Sequence, residues 1–243
     1  MREHWWYRGR AVAVLSLARR AGVVAGGRVL DYGCGTGHMG PVLARFGELW
    51  GVDGSPEALA CGEFGAYRGV SLLGDEAGGL PEGPFSLIAC LDVLEHVADD
   101  AGLLRRLKGL LAPGGAVLLS VPMRPALFCS ADEQAGHLRR YSRESLARVV
   151  ADAGLRTQAR SGYVVALLPA ALLHRRLVQQ GRARAQTEFQ LPARPINALL
   201  GGLSVAEGRA ARFIALPPGL SELQVVRPAG HRLAAGERAP ADG

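Results

Sequence analysis

The sequence of 243 residues predicts an α/β fold built on a doubly wound, mostly parallel sheet. Between Arg28 and Pro122, short β-like runs alternate with helical stretches, which is typical of βαβ units. The run FSLIACLDV is apolar throughout, as expected for a strand that is buried on both faces. Because crossovers between parallel strands are right-handed, this series favours helices on both sides of one sheet. We expect residues 1–227 to form this single domain.

Residues that favour helix starts or helix ends mark the boundaries of the elements in the first half. Ser55 and Pro56 provide an N-cap followed by proline in the first helical turn, and Pro113-Gly114-Gly115 stops the helix before the fifth strand. The predicted strands are 28–33, 48–53, 70–75, 85–93 and 116–122, and the helices between them are 37–46, 55–66 and 99–111.

The second half is predicted to add helices and two further strands. An amphipathic helix over 142–154 precedes a strand over 156–165. Residues 166–212 are helical and apolar, with three interrupting prolines, and LSELQVVRP forms a last strand over 220–228. The segment 228–243 has no periodicity, which predicts a disordered tail.

Composition and charge argue against several classes of protein. The net charge of +6 comes mostly from scattered arginines, with no long basic block, so we expect no nucleic-acid partner. The four cysteines form no CxxC pair, and the polar, aromatic N-terminal segment is not a signal peptide. We therefore expect a cytoplasmic protein. No apolar run reaches the roughly 18 residues of a membrane span.

The apolar stretch over 167–177, which arginines punctuate, has two interpretations. It lies on a membrane surface or binds a lipid-like substrate, or it forms a buried cap helix or a dimer contact. We favour the second interpretation, and we expect a monomer or a homodimer without membrane contact.

The segment VLDYGCGTG carries the functional argument. A ligand lies against the backbone at the end of a strand only where no Cβ intrudes, which explains glycines at this place. Asp53 ends the second strand about 20 residues later, where a carboxylate binds both hydroxyls of a ribose. The spacing is GxGxG, and His38 stands where a dinucleotide fingerprint has its last glycine. An acid at Asp31 suits S-adenosylmethionine (SAM), which carries an ammonium group, better than it suits a pyrophosphate.

These motifs resemble those of class I SAM-dependent methyltransferases. DYGCGTG, GVDGS, the GDE at 74–76, FSLIACLDVLEHV and LAPGGAVLLSVP are similar to five ordered motifs of that family. WWYRGR, DEQAGHLRRYSRESL and LPPGLS resemble a bacterial subgroup with poorly known substrates. The resemblance implies a Rossmann-like sheet of seven strands with the last antiparallel, a helical cap insertion over about 164–218 before that strand, and SAM as cofactor. The chain departs from the family at Glu222 and Gln224, which makes its last strand more polar.

The resemblance also assigns cofactor contacts. The glycine loop lines the methionine moiety, Asp31 faces its ammonium group, and Asp53 with Gly54 binds the ribose. Asp75 contacts the adenine amine, with Glu76 as the competing residue. The predicted cofactor residues are Asp31, Gly33, Cys34, Gly35, Gly37, Asp53, Gly54, Asp75, Leu91 and Asp92.

On the acceptor side, His137 is the candidate catalytic base, because it follows the fifth strand and imidazole has a suitable pKa. Structural hydrogen bonding within its loop is the alternative. Glu95 and His96 are either an acid/base pair or, as we favour, the structural opening of a helix. The helix within 1–27 is a possible lid. The predicted substrate contacts are Trp6, Tyr7, His96, Arg140 and Tyr141. We expect no metal, although Asp132, Glu133 and His137 are a conceivable set of ligands.

The sequence thus predicts methyl transfer from SAM to a small-molecule acceptor, with a hydroxyl oxygen of a natural product, glycan or lipid-linked compound favoured. Transfer to nitrogen or carbon by the same fold is the first alternative. A nicotinamide-dependent oxidoreductase is a weaker alternative, since GxGxG is not a dinucleotide fingerprint. A noncatalytic SAM-binding protein also remains open, because a glycine loop reports binding and not turnover.

Overall fold

The computed structural model describes residues 4–73, 80–179 and 193–230. Within these ranges the strands are β1 (Arg28–Tyr32), β2 (Glu48–Asp53), β3 (Gly69–Leu72), β4 (Phe85–Leu91), β5 (Leu111–Pro122), β6 (Leu155–Tyr163) and β7 (Ser221–Pro228). They form one sheet in the order β3-β2-β1-β4-β5-β7-β6. β7 is antiparallel to both of its neighbours, and β1 to β5 pair in parallel. The predicted seven-stranded sheet with an antiparallel last strand is confirmed.

Helices cover both faces of this sheet. They are α1 (Trp5–Arg20), α2 (Gly40–Leu43), α3 (Pro56–Ala60), α4 (Asp100–Gly109), α5 (Ser130–Gln134), α6 (Arg143–Asp152), α7 (Leu168–Gln179) and α8 (Arg194–Ala210). Successive residues of a strand enter different cores, since side chains alternate across a sheet. Val29 of β1 packs in the core that includes α1, and Leu30 packs in the core that includes α4 and α6. This alternation is the basis of the doubly wound arrangement.

The three helices predicted between the strands of the first half are all shorter than predicted. α4 ends at Gly109, ahead of Pro113-Gly114-Gly115, which lie within β5 and not at the end of the helix. α2 begins at Gly40 and not at Gly37, because Gly37 has a positive φ of 80° that is incompatible with a helix. α3 ends at Ala60, and the chain then turns so that Phe64 packs edge-on against Tyr67. β5 is longer than predicted and begins at Leu111, because that residue pairs with Phe85 ahead of a register shift.

The buried polar residues Glu222 and Gln224 of β7 have hydrogen-bond partners. Glu222 is completely buried, and Arg143 of α6 donates to it at 2.7 Å. The Gln224 amide donates to the same carboxylate at 2.8 Å, while its oxygen accepts from Thr157 of β6 at 2.9 Å. Polar side chains are tolerated in this strand because each has a hydrogen-bond partner on a neighbouring element.

The cap consists of α7 and α8, and α8 packs closely on α1. A Cβ at Gly9 would meet Ser204, and one at Gly208 would lie 2.8 Å from the Ala13 nitrogen, so glycines allow the close approach. No helix in the described parts of the chain is long and apolar enough to cross a bilayer. Residues 180–192 of the predicted insertion and residues 231–243 of the predicted tail lie outside the described residues.

Candidate active site

The glycine loop after β1 is a turn whose backbone conformation favours glycine at three positions. Gly33, Gly35 and Gly37 have φ values of 75°, 52° and 80°, a left-handed region that favours glycine. The amides of Gly33 and Cys34 both donate to the Val52 carbonyl, at 2.8 and 3.0 Å. A Cβ at Gly37 would lie 2.5 Å from the Glu63 carbonyl oxygen, whereas a Cβ at Gly35 would meet nothing within 4 Å. The loop is therefore fixed to β2 and open at Gly35.

The tips of β1 and β2 are in direct contact through Asp53. Its Oδ2 accepts from the Gly35 amide at 2.6 Å, and its Oδ1 accepts from the Ser55 amide at 2.8 Å. Ser55 in turn caps α3 through a 3.1 Å hydrogen bond from Ala58, and Gly54 is exposed beside it. The predicted acid at the second strand therefore lies against the glycine loop. Cys34 is buried, and burial raises the pKa of its thiol to about 12, so it is a neutral group here.

Asp31 is a buried carboxylate beneath the loop, with a relative exposure of 2%. The Tyr67 hydroxyl donates to its Oδ2 at 2.6 Å. Burial raises the pKa of Asp31 to about 6, against the opposing effects of the Tyr67 hydrogen bond and of Arg10. A carboxylate in such an environment is stabilised by a neighbouring cationic group.

Leu91 and Asp92 close the same edge of the sheet at the end of β4. Asp92 has a φ of 56°, and its amide donates to Ser120 of β5 at 2.9 Å. Its carboxylate accepts from the Ser120 hydroxyl at 2.6 Å and pairs with Arg10 of α1 at 2.6 Å. Arg10 is 7% exposed at its side chain, and its Nε and Nη2 have no partner. This guanidinium therefore has unused donors at the edge of the site.

The aromatic start of α1 lies at this edge, and its role as a lid stays a prediction. The Tyr7 ring packs on His38 of the glycine-loop segment, with centroids 5.0 Å apart. The Arg10 guanidinium lies 4.5 Å from the centroid of the Trp6 ring, and the Trp6 carbonyl accepts from Tyr163 at 2.7 Å. Arg8, the arginine that the sequence places next to these rings, is exposed. The buried arginine is Arg10, one turn after Trp6.

His137 is oriented by Asp132. Its Nδ1 lies 3.1 Å from the Asp132 Oδ1, and Asp132 is almost completely buried. Arg140 donates to the same oxygen from Nε at 2.7 Å, and its Nη2 is 2.6 Å from it. Hydrogen bonds from Arg140 contribute to holding the pKa of Asp132 below its usual range, against the effect of burial. Asp132 is therefore ionised, and the His137 Nδ1–H donates to it.

Glu95 and His96 lie directly beside His137. The two imidazole rings are edge-on, with centroids 4.8 Å apart, and the His96 Nδ1 is 3.1 Å from the Gly136 carbonyl oxygen. One ligand atom from each of Glu95, His96 and His137 lies within 4.8 Å of the other two. Burial raises the pKa of Glu95 well above its usual range, and the Asp92 charge adds to this rise. Burial lowers the pKa of His96, and His137 adds to this effect.

Other predicted residues are held by contacts within the fold. The Tyr141 hydroxyl is buried, donates to Asp100 at 2.8 Å and lies 3.1 Å from the Leu94 carbonyl oxygen. Arg140 is occupied by Asp132, so both residues have partners of their own. Asp75, together with Glu76, lies outside the described residues.

Sequence reasoning missed three residues that the fold brings to the site. Tyr67 reaches Asp31 across 36 positions, Ser120 reaches Asp92 across 28, and Arg10 belongs to a helix far from both strands. No local motif carries these contacts. The only signal for Arg10 is its place four residues after Trp6, on the same face of α1.

Comparison with known proteins identifies the family. Residues 6–159, more than half of the chain, match the model of a family described as a methyltransferase domain. The chain belongs to this methyltransferase family. Membership implies SAM as the cofactor and favours methyl transfer over the nicotinamide-dependent alternative.

The curated relatives match this chain over part of their length. A ubiquinone biosynthesis O-methyltransferase of Xanthomonas euvesicatoria pv. vesicatoria (strain 85-10) is 37% identical over 127 residues, which cover 48% of this chain and 52% of the relative. A protein of the same name from Acinetobacter baumannii (strain AYE) is 33% identical over 111 residues, 42% of this chain and 46% of the relative. The chain spans about half the length of these relatives.

Solved structures share the fold at low sequence identity. A SAM-dependent methyltransferase from Clostridium acetobutylicum ATCC 824 has a TM-score of 0.56 at 12% identity, covering 92% of each chain. The [4+2]-cyclase SpnF has a TM-score of 0.55 at 20% identity, covering 91% of this chain and 82% of its own. Because one of the two is a cyclase, the fold alone does not determine the reaction.

Proposed function

We propose that the methyltransferase domain binds SAM at the glycine loop and transfers its methyl group to a hydroxyl oxygen of a small molecule. The observation that carries this proposal is the contact between the tips of β1 and β2. There the Asp53 carboxylate accepts from the Gly35 amide, and a Cβ at Gly35 would meet nothing within 4 Å. This arrangement suits a ribose and the chain attached to it.

The residues of this edge match the charges of SAM. Asp53 would bind the ribose hydroxyls, and Asp31 would compensate the ammonium group. The unused donors of Arg10 would bind the carboxylate, since a guanidinium pairs well with that group. When bound, SAM supplies an electrophilic methyl group on a sulfonium. The domain itself has to position the acceptor oxygen and remove its proton.

We place removal of that proton at His137. The Asp132 carboxylate accepts from Nδ1 and fixes the ring, which leaves Nε2 to interact with an acceptor. The names of the relatives support oxygen as the methylated atom. They also make hydroxylated aromatic precursors of ubiquinone the first acceptors to test.

Calorimetry with SAM on the wild type and on Asp53→Ala tests the cofactor site. Loss of two hydrogen bonds to a charged group should weaken binding by about 3 kcal/mol, or roughly 100-fold. Asp152→Ala, which removes an exposed carboxylate at the end of α6, is the matched control and should bind SAM as the wild type does. Equal affinity in Asp53→Ala would refute the site.

Transfer of labelled methyl groups to the aromatic acceptors tests His137. We expect kcat of His137→Ala to fall by at least roughly 100-fold, with unchanged SAM affinity, because loss of proton transfer costs about that much. Glu133→Gln, which alters an exposed neighbour, should retain full turnover. Undiminished turnover of His137→Ala would remove this assignment and leave the SAM site standing.

A further inference from the structure

We infer that Glu95, His96 and His137 form a binding site for one divalent transition-metal cation of the zinc type. The sequence predicts no bound metal, and it is the folded arrangement that indicates this site. It combines two imidazoles and one carboxylate, a donor set that zinc and related cations prefer.

The first argument is the condition of Glu95. Its side chain has a relative exposure of 0%, and neither Oε1 nor Oε2 has a hydrogen-bond partner on another residue. A buried carboxylate without a partner is costly, and such groups are found paired or bound to metals. Neighbouring charges do not provide a partner, because Arg10 pairs with Asp92 and Arg140 pairs with Asp132.

The second argument is the orientation of the two histidines. The Gly136 carbonyl oxygen can only accept, so the His96 Nδ1 donates to it, and the His137 Nδ1 donates to ionised Asp132. In each neutral ring the one available lone pair is then on Nε2. Donation from the other ring nitrogen to a carboxylate or carbonyl is the arrangement that orients metal-binding histidines.

The third argument is distance. One ring nitrogen of each histidine and one carboxylate oxygen of Glu95 lie within 4.8 Å of one another. A tetrahedral cation with ligands at about 2.1 Å separates them by about 3.4 Å, so small side-chain movements of about 1 Å complete the set. Glu133, which the sequence offered as a ligand, is exposed, and Asp132 orients His137. Three protein ligands leave at least one position open, as in catalytic sites.

The use of that open position rests on the proposed function. An acceptor hydroxyl bound there has a lowered pKa and releases its proton to solvent. The oxygen then forms its bond to the methyl carbon as the carbon–sulfur bond breaks, and the sulfur keeps the electron pair. With the cation bound, the His137 Nε2 is a metal ligand and does not itself accept the proton, so the cation replaces the direct proton removal by His137 that is proposed above.

Cobalt(II) is the probe that tests the site, since its visible absorption reports the coordination geometry. The full chain carries Cys61→Ser in all samples, because that exposed thiol binds metals itself. We expect one Co²⁺ per chain with a tetrahedral spectrum, displaced by Zn²⁺. Glu95→Gln and His96→Ala should each weaken binding by more than roughly 10-fold, and Asp132→Asn by roughly 10-fold. The matched control Glu133→Gln should bind as the parent does.

Absence of saturable binding, or equal affinity in the parent, Glu95→Gln and His96→Ala, would overturn the inference and make Glu95 a neutral buried acid. Zn²⁺ should also raise the melting temperature of the parent and not that of His96→Ala. The shift of the parent is a test that does not depend on how well a variant folds. SAM binding is measured on the same samples with and without chelator. If the protein binds the cation but does not bind SAM, the proposed function is refuted and the metal site stands. If chelator leaves SAM-dependent turnover unchanged, the cation has no catalytic use.

Discussion

Asp31 shows how a single buried residue is suited to a charged ligand. Its carboxyl is fully within the protein, with Tyr67 as hydrogen-bond donor, Arg10 as the nearby cation and Asp53 as the nearby anion. Raising its pKa to about 6 means that the folded chain retains a proton that the unfolded chain loses at a lower pH. The stability that comes from this proton is present below the ordinary carboxyl pKa and is lost as the pH rises through about 6.

Asp31→Asn should therefore make the SAM-free protein more stable at pH 8, by up to about 3 kcal/mol, and leave stability near pH 4 unchanged. The same change should weaken SAM binding, because the ammonium group loses its anion. Denaturant unfolding at several pH values, with calorimetry beside it, measures both effects. Equal stability of the two proteins from pH 4 to pH 8 would show that Asp31 titrates normally.

The loop glycines are predicted to differ in what they contribute. Gly37→Ala places a Cβ 2.5 Å from the Glu63 carbonyl oxygen and should destabilise the fold by more than about 2 kcal/mol. Gly35→Ala faces open space, so it should cost about 1 kcal/mol of stability and chiefly reduce SAM affinity. Gly109→Ala, at an exposed helix end with free space, is the control. If Gly35→Ala binds SAM normally, the cofactor does not lie against the loop there.

The sequence predicts those parts of the site that local motifs encode. The glycines and Asp53 follow from strand ends, because adjacent parallel strands bring their tips to one edge. Tyr67 and Arg10 do not follow, because their contacts depend on how distant segments pack. The sequence pattern favours a structural role for Glu95 and His96, and the fold brings both residues beside His137.

At the scale of elements, helix boundaries were the least predictable feature. α2 and α3 end or begin where positive φ values and aromatic packing override the helical pattern. Strand β7 forms as predicted although Glu222 and Gln224 are polar, because residues of neighbouring elements hydrogen-bond to both. The Arg143–Glu222 pair joins α6 to β7, and Arg143 also donates to the Leu216 carbonyl at 3.1 Å, which anchors the end of the cap.

Arg143→Ala should destabilise the protein by about 3 kcal/mol, because it leaves the Glu222 charge buried with only Gln224 as donor. Adding Glu222→Gln removes that charge and should recover at least about 1 kcal/mol. Denaturant unfolding of the single and double variants measures the difference. A loss below about 0.5 kcal/mol in the single variant would contradict the role given to this pair.

At the scale of the whole molecule, topology was predictable because five ordered motifs lie on consecutive strands. Their order places the glycine loop, Asp53 and the end of β4 at one edge of the sheet, where α/β proteins bind ligands. The cap is less predictable, since α7 and α8 depend on packing against α1 and carry no chemical motif. Acceptor choice depends on such variable segments, and the SAM site depends on the sheet.

A crystal structure with S-adenosylhomocysteine tests the central claim most directly. We predict that the ribose hydroxyls lie on the Asp53 carboxylate, that the homocysteine chain crosses Gly35, and that its carboxylate meets Arg10. A ligand bound elsewhere, or an unchanged loop without ligand at saturating concentration, would contradict the assignment of this edge as the methyl-donor site.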